Sequence, residues 1–252
     1  MTSPALFSRK FVEQSYWKAR RQLLNSDSFH TKTCACSECK SPTNLDSAES
    51  GATNLQSGSD FNDEILISST FGDITKDYID WPNNDTLTYT IWDKERDTKR
   101  VTTNQHSNEA EQLINDTFNE VDDAIELDFE TTDNVKDAEI VVVSVDRYSP
   151  WGPPRLGVVG QVVETENRWF VLWKDTSPGT DELNDFDQNT ITHEIGHSLG
   201  LSHPGENPNN PNYNTVEDTV MSYNSLGGEW GTEFTENDYD ALEVIWGAET
   251  VL

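Results

Sequence analysis

Residues 193–203 read HEIGHSLGLSH, and three of the chain's five histidines fall within these eleven positions. Given the composition, a chance match to H-E-x-x-H-x-x-G-x-x-H is on the order of one in a hundred thousand. On a helix, residues four apart lie one above the other, so His193 and His197 can aim their imidazoles at one ion. Glu194 follows the first of them and can reach a water in an open coordination position. Gly200 tolerates positive φ, so the helix can end there and the chain can turn back. His203 then closes a site of three nitrogens. Neutral imidazoles leave zinc its full charge, which lowers the pKa of a bound water towards ~7. Glu194 would accept that water's proton and pass it to a leaving amine. A three-histidine structural zinc site or histidines satisfied in a core are the alternatives, but structural zinc usually has four protein ligands, often cysteines, and needs no adjacent Glu.

Around this stretch the chain predicts one catalytic domain of ordinary size. Thr86–Trp92 alternates as a half-buried strand, with Leu87, Tyr89 and Ile91 on one face. Residues 108–125 carry apolar groups at helical spacing behind the capping candidates Ser107 and Asn108. Residues 139–145 (EIVVVSV) form a short apolar run fit for a buried strand. Residues 157–163 and 168–173 flank a polar turn at 164–167 and read as a hairpin. Residues 189–199 should hold the helix of the histidine motif. A last helix spans 235–246, opened by Thr235-x-x-Asp238 as a capping box and stopped by Gly247. The order suggests one mixed sheet backed by helices, an α+β fold.

The motif resembles that of the metzincin metallopeptidases, in which three histidines bind zinc and the Glu is the general base. Those enzymes have a methionine-containing turn beneath the metal. Met221, in Val220-Met221-Ser222-Tyr223, lies eighteen residues beyond His203 and matches it. HEIGHSLGLSHPG, VMSY and the late FTENDYDALEVIWG are most similar to the serralysin branch. The resemblance implies a mixed twisted sheet, an active-site helix, a methionine turn and a C-terminal helix. It further implies zinc-dependent endopeptidase activity on protein or peptide substrates, through a zinc-bound water activated by Glu194. Tyr223, two places after Met221, would by the same resemblance stabilise the tetrahedral intermediate. An edge strand would bind extended peptide by strand addition, and either strand of the hairpin could be that edge. Secretion is implied too, although the N-terminus lacks the apolar block of a secretory signal and a cytoplasmic site stays open. Glycine- and aspartate-rich calcium-binding nonapeptides are absent up to Leu252, so calcium-dependent folding is not expected.

Residues 1–60 read as an N-terminal extension and 61–252 as the catalytic domain. Residues 5–24 form a loose apolar stripe with basic residues between, opposite in sign to a chain of net charge −29. That balance disfavours nucleic acid and anionic membranes, and no run approaches the ~18–20 apolar residues of a membrane span. The linker beyond carries Cys34, Cys36 and Cys39, four residues after His30. Three readings stand for them: a prosegment thiolate on the fourth zinc position, a small separate metal site with His30, or a tail that contains thiols. Residues 204–215 (PGENPNNPNYNT) read as a surface loop beside the cleft, where calcium could bind but no calcium-loop pattern is present. His106 reads as a solvated loop residue. A binding domain that kept zinc but lost turnover is the competing functional class.

Overall fold

The computed structural model describes residues 62–152, 157–178 and 182–250. The basic stripe and the three cysteines lie outside them.

Four strands run parallel at the centre. β1 (Thr86–Trp92) lies between β4 (Asp128–Thr131) and β5 (Ile140–Tyr148), and β7 (Trp169–Trp173) pairs with β5 on its other side. β6 (Gly160–Glu164) closes that side antiparallel to β7. The short strands β2 (Arg96–Asp97) and β3 (Val101–Thr103) form a hairpin against the later half of β5, with a register shift at Thr102/Thr103. The sheet is mixed, as expected. β5 runs three residues past the apolar run to Tyr148, because its polar end is carried by pairing with β3.

The apolar runs are explained by burial on both faces. In β5 and β7, Ile140, Val142, Trp169, Val171 and Trp173 enter the large core under the helices. Val141, Val143, Val145, Phe170 and Leu172 enter a smaller cluster on the other face. A strand covered on both faces loses its polar alternation, which is why these runs read as continuous.

Four helices cover the large core: α1 (Phe71–Ile79), α2 (Asn108–Asp122), α3 (Asp185–Leu199) and α4 (Glu236–Trp246). α2 starts where its cap predicts, with Ser107 Oγ accepting from Ala110 N at 3.1 Å. It buries Ile114, Phe118 and Val121, and Phe118 stacks on Tyr89 with centroids 4.0 Å apart. α4 has the expected capping box at Thr235 and Asp238. α1 has no counterpart in the periodicity reading. It is a nine-residue helix with a glycine in its first turn, and tertiary partners hold it: Thr75 Oγ1 donates to Ser198 O at 2.7 Å and accepts from Trp169 Nε1 at 2.9 Å.

His106 departs from its expectation. It is buried rather than solvated, its Nε2 accepts from Trp173 Nε1 at 3.2 Å, and its amide donates to Asp93 Oδ1 at 3.1 Å. Burial pushes its imidazole pKa down to about 4 against the opposing pull of Asp93, so it is a neutral core residue at pH 7. The hydrophilic neighbours in sequence hide this, because the indole that covers it comes from β7.

Candidate active site

α3 is the axis of the site. Its N-terminus is set by Asn184, whose Oδ1 accepts from Asp187 N at 2.9 Å, so the helix begins four residues before the expected Asn189. Every residue from Asn189 to Leu199 is buried. The helix stops at Gly200, which adopts φ 116°. A Cβ there would stand 2.9 Å from Ile245 Cδ1 and 3.1 Å from Gly72 Cα. Glycine is therefore required twice, for the left-handed turn and for the approach of α1 and α4.

That turn brings His203 back to the helix. The Nε2 atoms of His193 and His203 are 3.2 Å apart, and one ligand nitrogen from each of His193, His197 and His203 lies within 4.8 Å of the others. The rings of His193 and His197 are nearly perpendicular, as are those of His197 and His203. The other nitrogens are already committed: His193 Nδ1 donates to Val220 O at 2.9 Å and His197 Nδ1 to Leu201 O at 2.8 Å. These bonds fix the tautomer and turn the Nε2 lone pairs inward.

The donor set fits a zinc ion. His193 Nε2 carries a lone pair because its Nδ1 donates to Val220 O, so at 3.2 Å it meets His203 Nε2 through either a shared proton or a cation between them. Nitrogens about 2.0–2.1 Å from a tetrahedral ion stand roughly 3.3 Å from one another, close to the observed gap. Burial lowers the pKa of all three imidazoles, that of His193 to about 4. They are thus neutral at pH 7, the form that ligates.

Beneath the helix, Val220 and Met221 belong to the turn expected there, both fully buried. A Cβ on Gly196 would lie 2.8 Å from Met221 Sδ, so the sulfur sits directly under the helix between the two motif histidines. The turn is pinned by Asp238. Its Oδ2 accepts from Val220 N at 2.9 Å and its Oδ1 accepts from Thr219 Oγ1. Sequence reading assigned Asp238 only to the cap of α4; the capping box was the signal, but its second task shows only in three dimensions. Tyr223 follows the turn, with its ring 5.0 Å from that of His203 and 5.4 Å from that of His193.

All five expected site residues are thus gathered in one place. A cleft of about 300 Å³ opens beside them, lined by Val159, Phe186, Thr190, Glu194, Tyr223 and Trp230 among others. Phe186 and Trp230 meet edge to face at 4.9 Å, and neither was expected. Trp230 is held there because α3 straps its segment: Asn189 Nδ2 donates to Gly231 O at 2.6 Å and Thr192 Oγ1 to Thr232 O at 2.7 Å. Residues 204–215 run over the surface in turns, with Tyr223 N donating to Pro208 O at 2.7 Å.

The chain is similar to known metallopeptidases. The family model described as metallo-peptidase family M12B reprolysin-like matches residues 89–204. Serralysin G of Dickeya chrysanthemi is 43% identical over 68 residues, 23% of this chain and 13% of that protein. Serralysin A of the same organism is 33% identical over 92 residues, covering 32% and 19%. The serralysin of Photorhabdus luminescens is 28% identical over 151 residues, covering 52% and 31%. The matched stretch spans about a third or less of each of these relatives. With three buried imidazoles converging over a methionine turn, the described fold and the matched residues are similar to a metzincin-type, serralysin-like zinc metallopeptidase domain.

Proposed function

We propose that this chain is a zinc-dependent endopeptidase, with His193, His197 and His203 as the metal ligands and Glu194 as the general base. The convergence of three buried imidazoles, with one ligand nitrogen of each within 4.8 Å of the others, carries the reading. Zinc at this position supplies a Lewis acid for the scissile carbonyl and a water whose pKa is lowered towards ~7. Glu194, one residue from the first ligand and lining the cleft, takes the proton of the attacking water and delivers it to the leaving amine. Tyr223 directs its hydroxyl to the oxyanion that develops on the carbonyl. β6 is the edge of the sheet, pairing only with β7 among the described residues. An extended substrate would add to it as a further strand, leaving one peptide bond beside Glu194.

Substrates on this reading are unstructured proteins and peptides. A net charge of −29 sets up a field that draws basic chains and repels nucleic acid. Secretion follows by resemblance. No helix among the described residues is long and apolar enough to cross a membrane.

Removal of metal tests the whole reading. Dialysis against a chelator should abolish cleavage of casein, and one equivalent of zinc should restore it. Cleavage that survives chelation, or protein that never takes up a stoichiometric ion, would end it. Tyr223→Phe should lower kcat on the order of 100-fold with KM little changed, the loss typical of one oxyanion donor. A rise in KM at constant kcat would instead make Tyr223 a binding residue.

A further inference from the structure

β6 turns Gly160 and Val162 towards α3, with Gly160 buried and opposite Trp173 in the register with β7. Gly160 is not among the residues with positive φ, so its backbone is one that alanine adopts without strain. Space is the reason for glycine. A Cβ at this position would stand 2.9 Å from both Cγ and Cδ of Glu194 and closer still to Oε1. Three successive atoms of that side chain therefore rest against the bare Cα of the edge strand.

We propose that Gly160 is the positioning residue for Glu194, and that the edge strand sets where the general base stands over the metal site. This rests on the role of Glu194 given above. Glu194 is fully buried, on a stretch of α3 from Asn189 to Leu199 that is buried at every position, so its carboxylate has little room to retreat into the protein. The side open to it is the cleft, whose lining includes Glu194 itself. A methyl group at 160 would push the carboxylate into the cleft, towards the space that the water and the carbonyl must share. Displacement of a reacting group by about 1 Å costs on the order of 100-fold in rate. The strand that aligns the substrate would thereby also align the base, so both partners in proton transfer are referred to one backbone.

A double-mutant cycle separates this from an ordinary need for glycine in the strand. Gly160→Ala alone should lower Tm by about 3–8 °C, because the methyl and the Glu194 side chain compete for one volume. In a Glu194→Ala background Cγ, Cδ and Oε1 are gone, and the same substitution should leave Tm unchanged or raise it. Alanine restricts the unfolded chain more than glycine does. In the otherwise unaltered enzyme, Gly160→Ala should retain one zinc and lower kcat about 10- to 100-fold with KM within about twofold. An equal fall of Tm in both backgrounds would overturn the proposal, as would a kcat unchanged by Gly160→Ala or an effect confined to KM. The thermal cycle needs no substrate. If the unsubstituted protein hydrolyses nothing, the endopeptidase reading fails while the contact between Gly160 and Glu194 is still decided.

Discussion

Glu194→Gln should bind one zinc, melt within a few degrees of the unsubstituted protein, and hydrolyse peptides about 10³- to 10⁴-fold more slowly. The glutamine keeps the volume against Gly160 and the length of the side chain, so the contact that a methyl at 160 would destroy is preserved. Lost is the proton acceptor. General acid–base catalysis by a positioned group contributes about 10²- to 10⁴-fold, and here one carboxylate both receives the proton of water and returns it to the amine. The top of that range is therefore expected, on the order of 4–5.5 kcal/mol of barrier. The ligands are untouched, since His193 and His197 are fixed by Val220 O and Leu201 O rather than by Glu194. Single-turnover kinetics on a fluorogenic peptide, with metal content measured on the same sample, checks both halves. Activity within tenfold of the unsubstituted protein would remove Glu194 from the mechanism. A protein inert before and after the substitution, yet still binding peptide in a zinc-dependent way, would instead be a binding domain that has kept its metal.

Much of the site was legible in the linear sequence because its parts are local. Two ligands and the base lie within one and a half turns of helix, and the third follows a glycine whose φ of 116° is the turn that the spacing demanded. The bounds of β1 were legible to the residue, since buried Leu87 and Tyr89 alternate with half-buried Thr86 and Thr88 at its start, although Thr90 is buried and Ile91 only half-buried further on. Legibility failed wherever a residue's meaning depends on a distant partner. His106 has polar neighbours in sequence and an indole above it in space. α1 carries Phe71, Ile74, Tyr78 and Ile79 at helical spacing, but over only nine residues and with no side-chain cap at Thr70, and its hold on Ser198 and Trp169 shows only in space. β4 (DFET) is largely exposed and has no apolar alternation to detect. The two strands of the hairpin read alike. β7 is buried at every position and interior, whereas β6 is the edge, and that order follows from pairing with β5 rather than from composition. Gly160 illustrates the limit most sharply: a glycine in a strand signals a close approach, but the approaching group comes from a helix more than thirty positions along the chain.

Asp238→Ala should be the most destabilising single change near the site, and it should weaken zinc although Asp238 touches no ligand. Its carboxylate is fully buried and accepts from Thr219 Oγ1, Val220 N, Thr235 N and Thr235 Oγ1, the last three at 2.9, 2.9 and 3.0 Å. Truncation strands two amides and at least one hydroxyl in the interior and removes half of the capping box of α4. Each stranded donor costs about 1–3 kcal/mol and the cap about 1. A loss of roughly 4–5 kcal/mol is expected, the low end of that sum because Thr235 Oγ1 keeps its bond to Asp218 O, or about 10 °C in Tm for a domain of this size. The link to zinc is one bond long. Val220 N is held by Asp238, and Val220 O receives Nδ1 of His193, so freeing the turn frees the ring. Loss of such a supporting partner typically costs 10- to 100-fold in metal affinity. Asp238→Asn separates charge from bonding. Burial raises the carboxyl pKa against the opposing effect of the Thr219 and Thr235 bonds; with the folded pKa above the unfolded one, holding the group ionised costs stability as pH rises through that interval. The amide escapes that cost but must turn an NH₂ towards one of the donors, so Asn should fall between Asp and Ala. Competition of each variant with a chromogenic zinc chelator, beside calorimetric melting, tests the coupling. Were Tm to fall by 10 °C with zinc affinity unchanged, Asp238 would serve α4 alone, and the hold on His193 would have to come from the burial of Val220 and Met221 themselves.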